Sequence, residues 1–375
     1  MAARLVCFAN SGSRRTDEWA RACRETTGTE LCIVPWLDVI RGTWDRSGLR
    51  GGPTLRLESP GKDAAVEQAL LLAGADLDDP EGDSFWRMTA RQVERENWER
   101  GRIPPMRQWY LGWCKVLRDL ASEAGPDARW LTPPEDVISM FDKSACQTQL
   151  AASGVPVPRS PGVPRDYFHA MELAGGADCR RFFLKSRHGS SASGILAIEC
   201  GPQGLQAFTT VDLRQHGPVM YNSRKVRRLQ GNEVMETADA VCSLGAVIQA
   251  WVPKAGWRGC TMDLRAVTIK GRARHIVPRL SRSPFTTLQL GAQRGDAAAL
   301  RAESGEAAWQ RVTDAAERAA AAYPGSLMAG VDIAVTPGWN HALVLEMNAF
   351  GDLLPGVLHE GRDTYVSQLA AAGIL

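Results

Sequence analysis

Between Arg181 and Ile198 the chain reads RFFLKSRHGSSASGILAI, and that order of residue types limits the fold more than any other stretch of the 375 residues. The apolar run Phe182-Phe183-Leu184 predicts a strand that carries Lys185 toward a turn. Small residues from Gly189 through Ser190, Ser191, Ala192 and Ser193 to Gly194 then lead into a second apolar run, Ile195 to Ile198. Two readings fit. Glycine and serine between two strands make an ordinary hairpin turn. The same glycines also let backbone N–H groups close over an anion, with a lysine on a rigid strand supplying a point charge. The segment is not a P-loop, because the lysine precedes the glycines.

The length exceeds what one core ordinarily supports, so two or three domains are expected. Arg4 to Ala9 predicts a strand, about Asp17 to Thr26 a helix and Leu31 to Pro35 a second strand, the order of a small parallel α/β domain. A strand over Leu55 to Glu58 and a helix over Ala64 to Ala73 extend it. Phe85 to Ala124 reads as helical, broken at Arg102-Ile-Pro-Pro105, and carries Trp86, Trp98, Trp109 and Trp113. Those tryptophans fit packing against a neighbouring domain, a cleft lining, or a surface that captures a protein partner.

A new unit starts near Thr132-Pro-Pro134. Asp142-Lys143 opens a helix that runs to about Ala152, and Pro156 and Pro158 fix an extended exit from it. Val247 to Pro253 is an apolar run suited to joining two lobes, and Asp263 to Ile269 turns at Lys270-Gly271 into a returning strand. Arg279 and Arg282 follow, among hydroxyl residues that fit either a solvated face or an anion. Ala298 to Ala322 reads as a helix. Gly330 to Val335 and Ala342 to Asn348 then predict an antiparallel pair turning at Pro337-Gly338. The two-residue side-chain period sets Glu346 and Asn348 on one face, with Asp332 in reach on the partner strand. Two carboxylates and an amide oxygen are hard ligands, suited to magnesium rather than zinc or copper.

Charge and cysteine usage narrow the class. The 44 basic residues nearly balance the 42 acidic ones, there is no zinc-finger spacing, and aromatic residues are not interleaved with a basic patch, which argues against nucleic-acid binding. Among the bases, seven lysines stand beside 37 arginines, so Lys143 and Lys185 draw notice. Nine cysteines occur singly, with no C-x-x-C pair, as expected in a reducing interior. MAARLVCFAN is too short and too soon polar for a signal peptide, and no apolar run approaches membrane-spanning length. A soluble, cytoplasmic protein without membrane attachment is expected.

In order and spacing, Asp142-Lys143 before the Val-Pro-Val-Pro exit, FFLKSRHGSSASG, VIQAWVP, MDLRAVTIKG with Arg279 beyond it, AGVDIAV and LVLEMNAFGDLLPG resemble the ATP-grasp superfamily. The likeness is to its carboxylate–amine ligase branch, which includes the ribosomal-protein S6 glutamate ligase, and it covers roughly residues 130 to 358. It implies an α/β chain, α+β in its catalytic part. A Rossmann-like pre-grasp domain with a helical, tryptophan-rich extension would occupy residues 1–125, a lid subdomain 131–200, and the nucleotide- and metal-binding lobe 201–375.

By that resemblance Lys143 and Lys185 would contact ATP phosphates, and Gly189, Ser190, Ser191, Ser193 and Gly194 would fold over them. Gln249, Trp251 and Val252 would line the adenine side. Asp332, Glu346 and Asn348 would hold Mg2+, with Mn2+ as a substitute, and Arg265 and Arg279 would face the acyl phosphate or the acceptor's charge. The implied reaction phosphorylates a small-molecule or peptide carboxylate and joins it to an amine. An ATP-grasp kinase and a non-catalytic ATP-binding maturation module are the alternatives. The chain departs from the family at Ala250, where a hinge glutamate is common, and at Thr287-Leu-Gln-Leu-Gly291, where asparagine is usual at the first position.

Overall fold

The computed structural model describes residues 5–82, 84–190, 192–202, 204–213, 219–350, 352 and 354–375. Its amino-terminal part alternates strand and helix: β1 (Leu5–Ala9), α1 (Arg14–Thr27), β2 (Cys32–Pro35), α2 (Trp36–Arg41), β3 (Thr54–Leu57) and α3 (Ala64–Ala73). Two further helices, α4 (Ala90–Arg95) and α5 (Met106–Ala124), precede β4 (Arg129–Trp130). The strands form a parallel sheet in the order β2-β1-β3-β4. Every residue of β1 and β3 is buried, as parallel strands covered on both faces require. Helices α3 and α5 meet at bare backbone. A Cβ on Gly112 would lie 2.0 Å from the Leu70 carbonyl oxygen, and one on Gly74 would lie 2.1 Å from that of Gln108.

The tryptophans separate by environment. Trp113 is fully buried and meets Trp36 edge-on, with ring centroids 4.8 Å apart. Trp109 is buried and stacks on Phe141. Both belong to the core that joins α5 to the following helices, which removes them from the surface expected to capture a protein partner. Trp86 and Trp98 are only partly buried.

The middle of the chain comprises α6 (Pro134–Phe141), α7 (Lys143–Ala152), α8 (Tyr167–Gly176), β5 (Arg181–Ser186), β6 (Ile195–Gly201), β7 (Gly204–Leu213), β8 (Met220–Gln230), α9 (Asn232–Ser243) and β9 (Ala246–Ala250). Its antiparallel sheet has the order β8-β7-β6-β5-β9. Phe182 and Leu184 share an apolar core with Ala170 of α8 and Val234 and Ala238 of α9. Alternation along β5 therefore turns Phe183 and Lys185 to the opposite face. The hairpin of β6 and β7 stays paired to Gly201 and Gly204, so the sheet runs through the boundary expected at 200/201 and extends to Ala250.

The second antiparallel sheet follows. Its elements are β10 (Gly256–Trp257), β11 (Cys260–Ile269), β12 (Arg272–Ser281), β13 (Gln293–Arg294), α10 (Ala297–Ser304), α11 (Glu306–Ala321), β14 (Met328–Val335), β15 (Ala342–Asn348) and α12 (Thr364–Ala371). The order is β13-β12-β11-β14-β15, with β10 beside β11. The single helix expected over Ala298 to Ala322 is two helices, interrupted at Gly305 with φ 84°. Helix α12 returns to the amino-terminal part, where Tyr365 packs edge-on against Trp19 of α1. Among the described residues, no helix is long and apolar enough to cross a membrane.

Candidate active site

Strand register assembles a row of charge on one face of the second sheet. Arg279 of β12 lies directly opposite Asp263 of β11, Arg265 of β11 opposite Asp332 of β14, and Asp332 opposite Glu346 of β15. Asp263 and Arg265 are two residues apart and so share that face. Arg279 holds Asp263 with two hydrogen bonds, Nε to Oδ1 at 2.8 Å and Nη2 to Oδ2 at 2.9 Å. Arg265 donates from Nε to Asp332 Oδ1 and from Nη2 to Oδ2, the latter at 3.1 Å, and Arg279 Nη2 reaches the same Oδ2 at 3.1 Å. Burial opposes ionisation of Asp332, but the two guanidinium groups outweigh it and hold its carboxyl well below the usual carboxylate range.

Glu346 differs from Asp332. It forms no salt bridge among the described residues and lines a small pocket with Lys143, Cys146 and Gln147. A register shift between Asp332 and Ile333 leaves Leu345 without a partner on β14, and its carbonyl accepts a hydrogen bond from Gln249 Nε2 at 3.0 Å. Asn348 lies opposite Gly330, and its Nδ2 is buried with no hydrogen-bond partner. Exchanging that amide's oxygen and nitrogen, a choice set only by neighbouring groups, would leave an unpartnered buried oxygen there instead. Glu346 and Asn348 thus fit a hard cation, whereas Asp332 would need its arginines to move. No group of three His, Cys, Asp or Glu that could hold a metal occurs among the described residues.

Lys185 approaches from the other sheet and Lys143 from the start of α7. Lys185 Nζ donates to Gln249 Oε1 at 2.7 Å, and Gln249 stands opposite Phe183 on the same face. Burial, reinforced by Lys143 and Lys254 and opposed by Glu346 and Asp332, pushes the Lys185 ammonium down to about 8. Lys143 begins α7. Asp142 caps that helix, accepting from the N–H groups of Ser144 and Ala145 at 2.9 and 3.2 Å, and Lys143 Nζ donates to the Gly189 carbonyl. The lysine is thereby tied to the glycine segment, which is itself tightly folded. A Cβ on Gly189 would lie 2.7 Å from the Ser193 carbonyl oxygen, and Ser193 N–H donates to Ser190 O at 2.9 Å. Gly194 O accepts from Ser186 N–H at 2.7 Å. Ser190 is exposed, Ser193 partly so, and Ser191 lies outside the described residues.

Of the hinge residues, Trp251 packs against Phe183 with ring centroids 5.1 Å apart, and its N–H donates to Arg181 O at 3.0 Å. That N–H is already engaged within the protein, and Val252 follows it at the edge of β9. At the Ala250 departure the backbone N–H is likewise taken, by Arg159 O at 2.8 Å. Arg282 is exposed.

Three groups not assigned from sequence complete the cleft. Lys254 Nζ donates to Thr286 Oγ1 at 2.9 Å and lies 3.4 Å from Asp263 Oδ2, and the Thr286 hydroxyl donates to Asp263. The scarcity of lysine that marks Lys143 and Lys185 applies equally to Lys254, and two-residue alternation from Arg265 points to Asp263. Asp352 Oδ2 lies 3.7 Å from Arg265 Nη1, and Lys143, Lys185, Lys254, Arg265 and Arg279 outnumber Asp263, Asp332, Glu346 and Asp352 by one, which favours an anion in the cleft.

No family model matches the sequence, and no curated protein does. Solved structures match over the whole chain. D-cycloserine synthetase DcsG is 17% identical with a TM-score of 0.55, covering 100% of both chains. The ATP-grasp ligase PsnB with its minimal precursor, Mg and ADP is 14% identical with a TM-score of 0.50, covering 99% of this chain and 96% of that one. The macrocyclase MdnC from Microcystis aeruginosa MRC, bound to precursor peptide MdnA, is 13% identical with a TM-score of 0.51 and 98% coverage of each chain. The chain has the ATP-grasp fold.

Proposed function

We propose that this chain is a magnesium-dependent ligase that uses ATP to activate a carboxylate as an acyl phosphate and joins it to an amine. The observation that carries the reading is the meeting of two antiparallel sheets at one charged cleft. Lys185 comes from one sheet with Lys143 beside it, and the row from Arg279 to Glu346 comes from the other.

Lys143 and Lys185 take the phosphates of ATP, Gly189 to Gly194 lie over them, and Gln249, Trp251 and Val252 border the adenine. Asp332, Glu346 and Asn348 would hold magnesium, or manganese in its place, which would lower the charge on the phosphate oxygens. Arg265 and Arg279 are both paired with Asp332. Asp332 would join the metal's ligands only once these arginines had turned to another anion, such as a phosphoryl group.

The substrate carboxylate oxygen bonds to the γ-phosphorus as the bond to ADP breaks. The amine nitrogen then attacks the acyl carbon, loses a proton, and phosphate leaves. Arg265 and Arg279 offset the charge that builds on the transferring group. Exclusion of water by the folded segment protects the acyl phosphate from hydrolysis. The carboxylate belongs to a small metabolite or a peptide, a choice supported by fold relatives that make D-cycloserine or bind precursor peptides. The test incubates the protein with magnesium-ATP and pools of metabolites or peptides, following ADP, phosphate and product mass. Stoichiometric phosphate with a product lighter by one water than its two parts supports ligation. A phosphorylated product with no amide refutes it in favour of a kinase.

A further inference from the structure

The segment between α3 and α5 plays no part in the chemistry above, yet it is bonded to α9 and to β8 of the five-stranded sheet that carries Lys185. Trp86 N–H donates to Ser243 O at 2.7 Å, Ile103 N–H to Met220 O at 2.8 Å, and Asn222 N–H to Gly101 O at 2.7 Å. The Tyr221 hydroxyl donates to Glu99 at 2.7 Å. At its amino-terminal end the segment presents two carboxylates to two buried arginines. Arg107 donates from Nε and Nη2 to Asp79 at 2.9 and 2.7 Å, and Arg187 donates from Nη1 and Nη2 to Glu81 at 2.6 and 3.0 Å.

Arg187 is the pivot. It follows the last residue of β5, its N–H donates to Gly245 O at 2.9 Å, and its carbonyl accepts from Lys143 N–H at 3.1 Å. Its guanidinium also reaches Asp142, Nη2 to Oδ2 at 2.5 Å and Nε to Oδ1 at 3.2 Å. Asp142 Oδ1 also accepts from the first N–H groups of α7, so Asp142 divides its hydrogen bonds between the helix start and Arg187. Glu81 supplies the fork that fixes the other edge of the guanidinium, and two-pronged charged hydrogen bonds set orientation as well as energy.

We propose that Glu81, contributed by the amino-terminal half of the chain, is a positioning residue for the nucleotide site. Through Arg187 it holds the start of α7 and the end of β5 so that Lys143 and Lys185 address the same phosphates. The inference rests on the ATP-site reading. Glu81 itself is 38% exposed, so its replacement opens no cavity.

The test compares Glu81→Gln and Glu81→Asp with the wild type in ATP affinity by calorimetry, with and without magnesium. Alongside it, hydrogen exchange is followed by mass spectrometry in peptides spanning residues 141–146 and 182–188 of the nucleotide-free protein. Glu81→Gln should weaken ATP binding about tenfold and speed exchange at the Lys143 and Arg187 amides, with the unfolding midpoint little changed, and Glu81→Asp should recover most of the affinity. A lowered unfolding midpoint with wild-type ATP affinity in the folded fraction overturns the inference, because the contact is then structural only. If the wild type itself binds no nucleotide, the ATP-site reading fails separately. The exchange data still decide the positioning role, and unchanged exchange in Glu81→Gln overturns it.

Discussion

Replacing Lys185 with methionine should stabilise the folded protein at neutral pH while abolishing nucleotide binding. Methionine keeps an unbranched stem of similar reach and removes the charge. Burial is the main cause that brings the Lys185 ammonium from 10.5 to about 8, and each unit is worth about 1.4 kcal/mol. The difference of roughly 2.5 units is a penalty of about 3 kcal/mol, which is a ceiling because Lys185 keeps some solvent contact that screens it. Losing the bond to Gln249 subtracts about 1 kcal/mol from the gain. The expected net stabilisation at pH 7 is about 1–2 kcal/mol.

Its pH dependence has a definite sign. Below pH 8 the lysine is protonated folded and unfolded, and the whole penalty is present. Between pH 8 and 10.5 the folded protein releases the proton while the unfolded chain keeps it, so the wild type gains stability as pH rises. Above that window the penalty is gone, and Lys185→Met becomes the less stable protein by the lost hydrogen bond. Urea unfolding of both proteins at pH 7 and pH 9.5, with magnesium-ATP titrations of each, measures this. A variant less stable than the wild type by the same amount at both pH values refutes the enclosed charge.

Glu346→Gln should leave ATP affinity without magnesium within about twofold and reduce the magnesium-dependent gain at least tenfold, since one carboxylate oxygen becomes an amide nitrogen; calorimetry with and without the metal reads both. Asp263→Ala leaves the buried Arg279 with Asp332 alone and Lys254 without its carboxylate, so it should cost about 3–5 kcal/mol in urea unfolding. Gly112→Ala forces a methyl to within 2.0 Å of the Leu70 carbonyl and pushes α3 from α5, at a cost of about 1–3 kcal/mol by the same measurement, without change in ATP affinity of the folded fraction.

The elements that bear the site were legible where the signal is local. A short apolar run placed Lys185 on its strand, Asp142 marked the start of α7, and the return of Ala342 to Asn348 beside β14 followed from a short turn between two apolar runs. The break at Gly305 was hidden because alanine continues on both sides of it, and the sheet through Gly201 and Gly204 was hidden because a tight hairpin resembles a boundary. Trp109 and Trp113 look alike in sequence to surface aromatics, and only the packing of α5 on Phe141 and Trp36 buries them.

Residue order alone determined which side chains share a face and where the helix over Lys143 begins, because side-chain period and turn chemistry act over a few residues. Tertiary structure decided the partners. Arg265 meets Asp332 across 67 residues, Arg187 meets Glu81 across 106, and Lys254 turns to Asp263 and Thr286 rather than to solvent. Such pairings depend on strand register and on the docking of one sheet against another, which the whole chain's burial of apolar surface sets and no short stretch encodes.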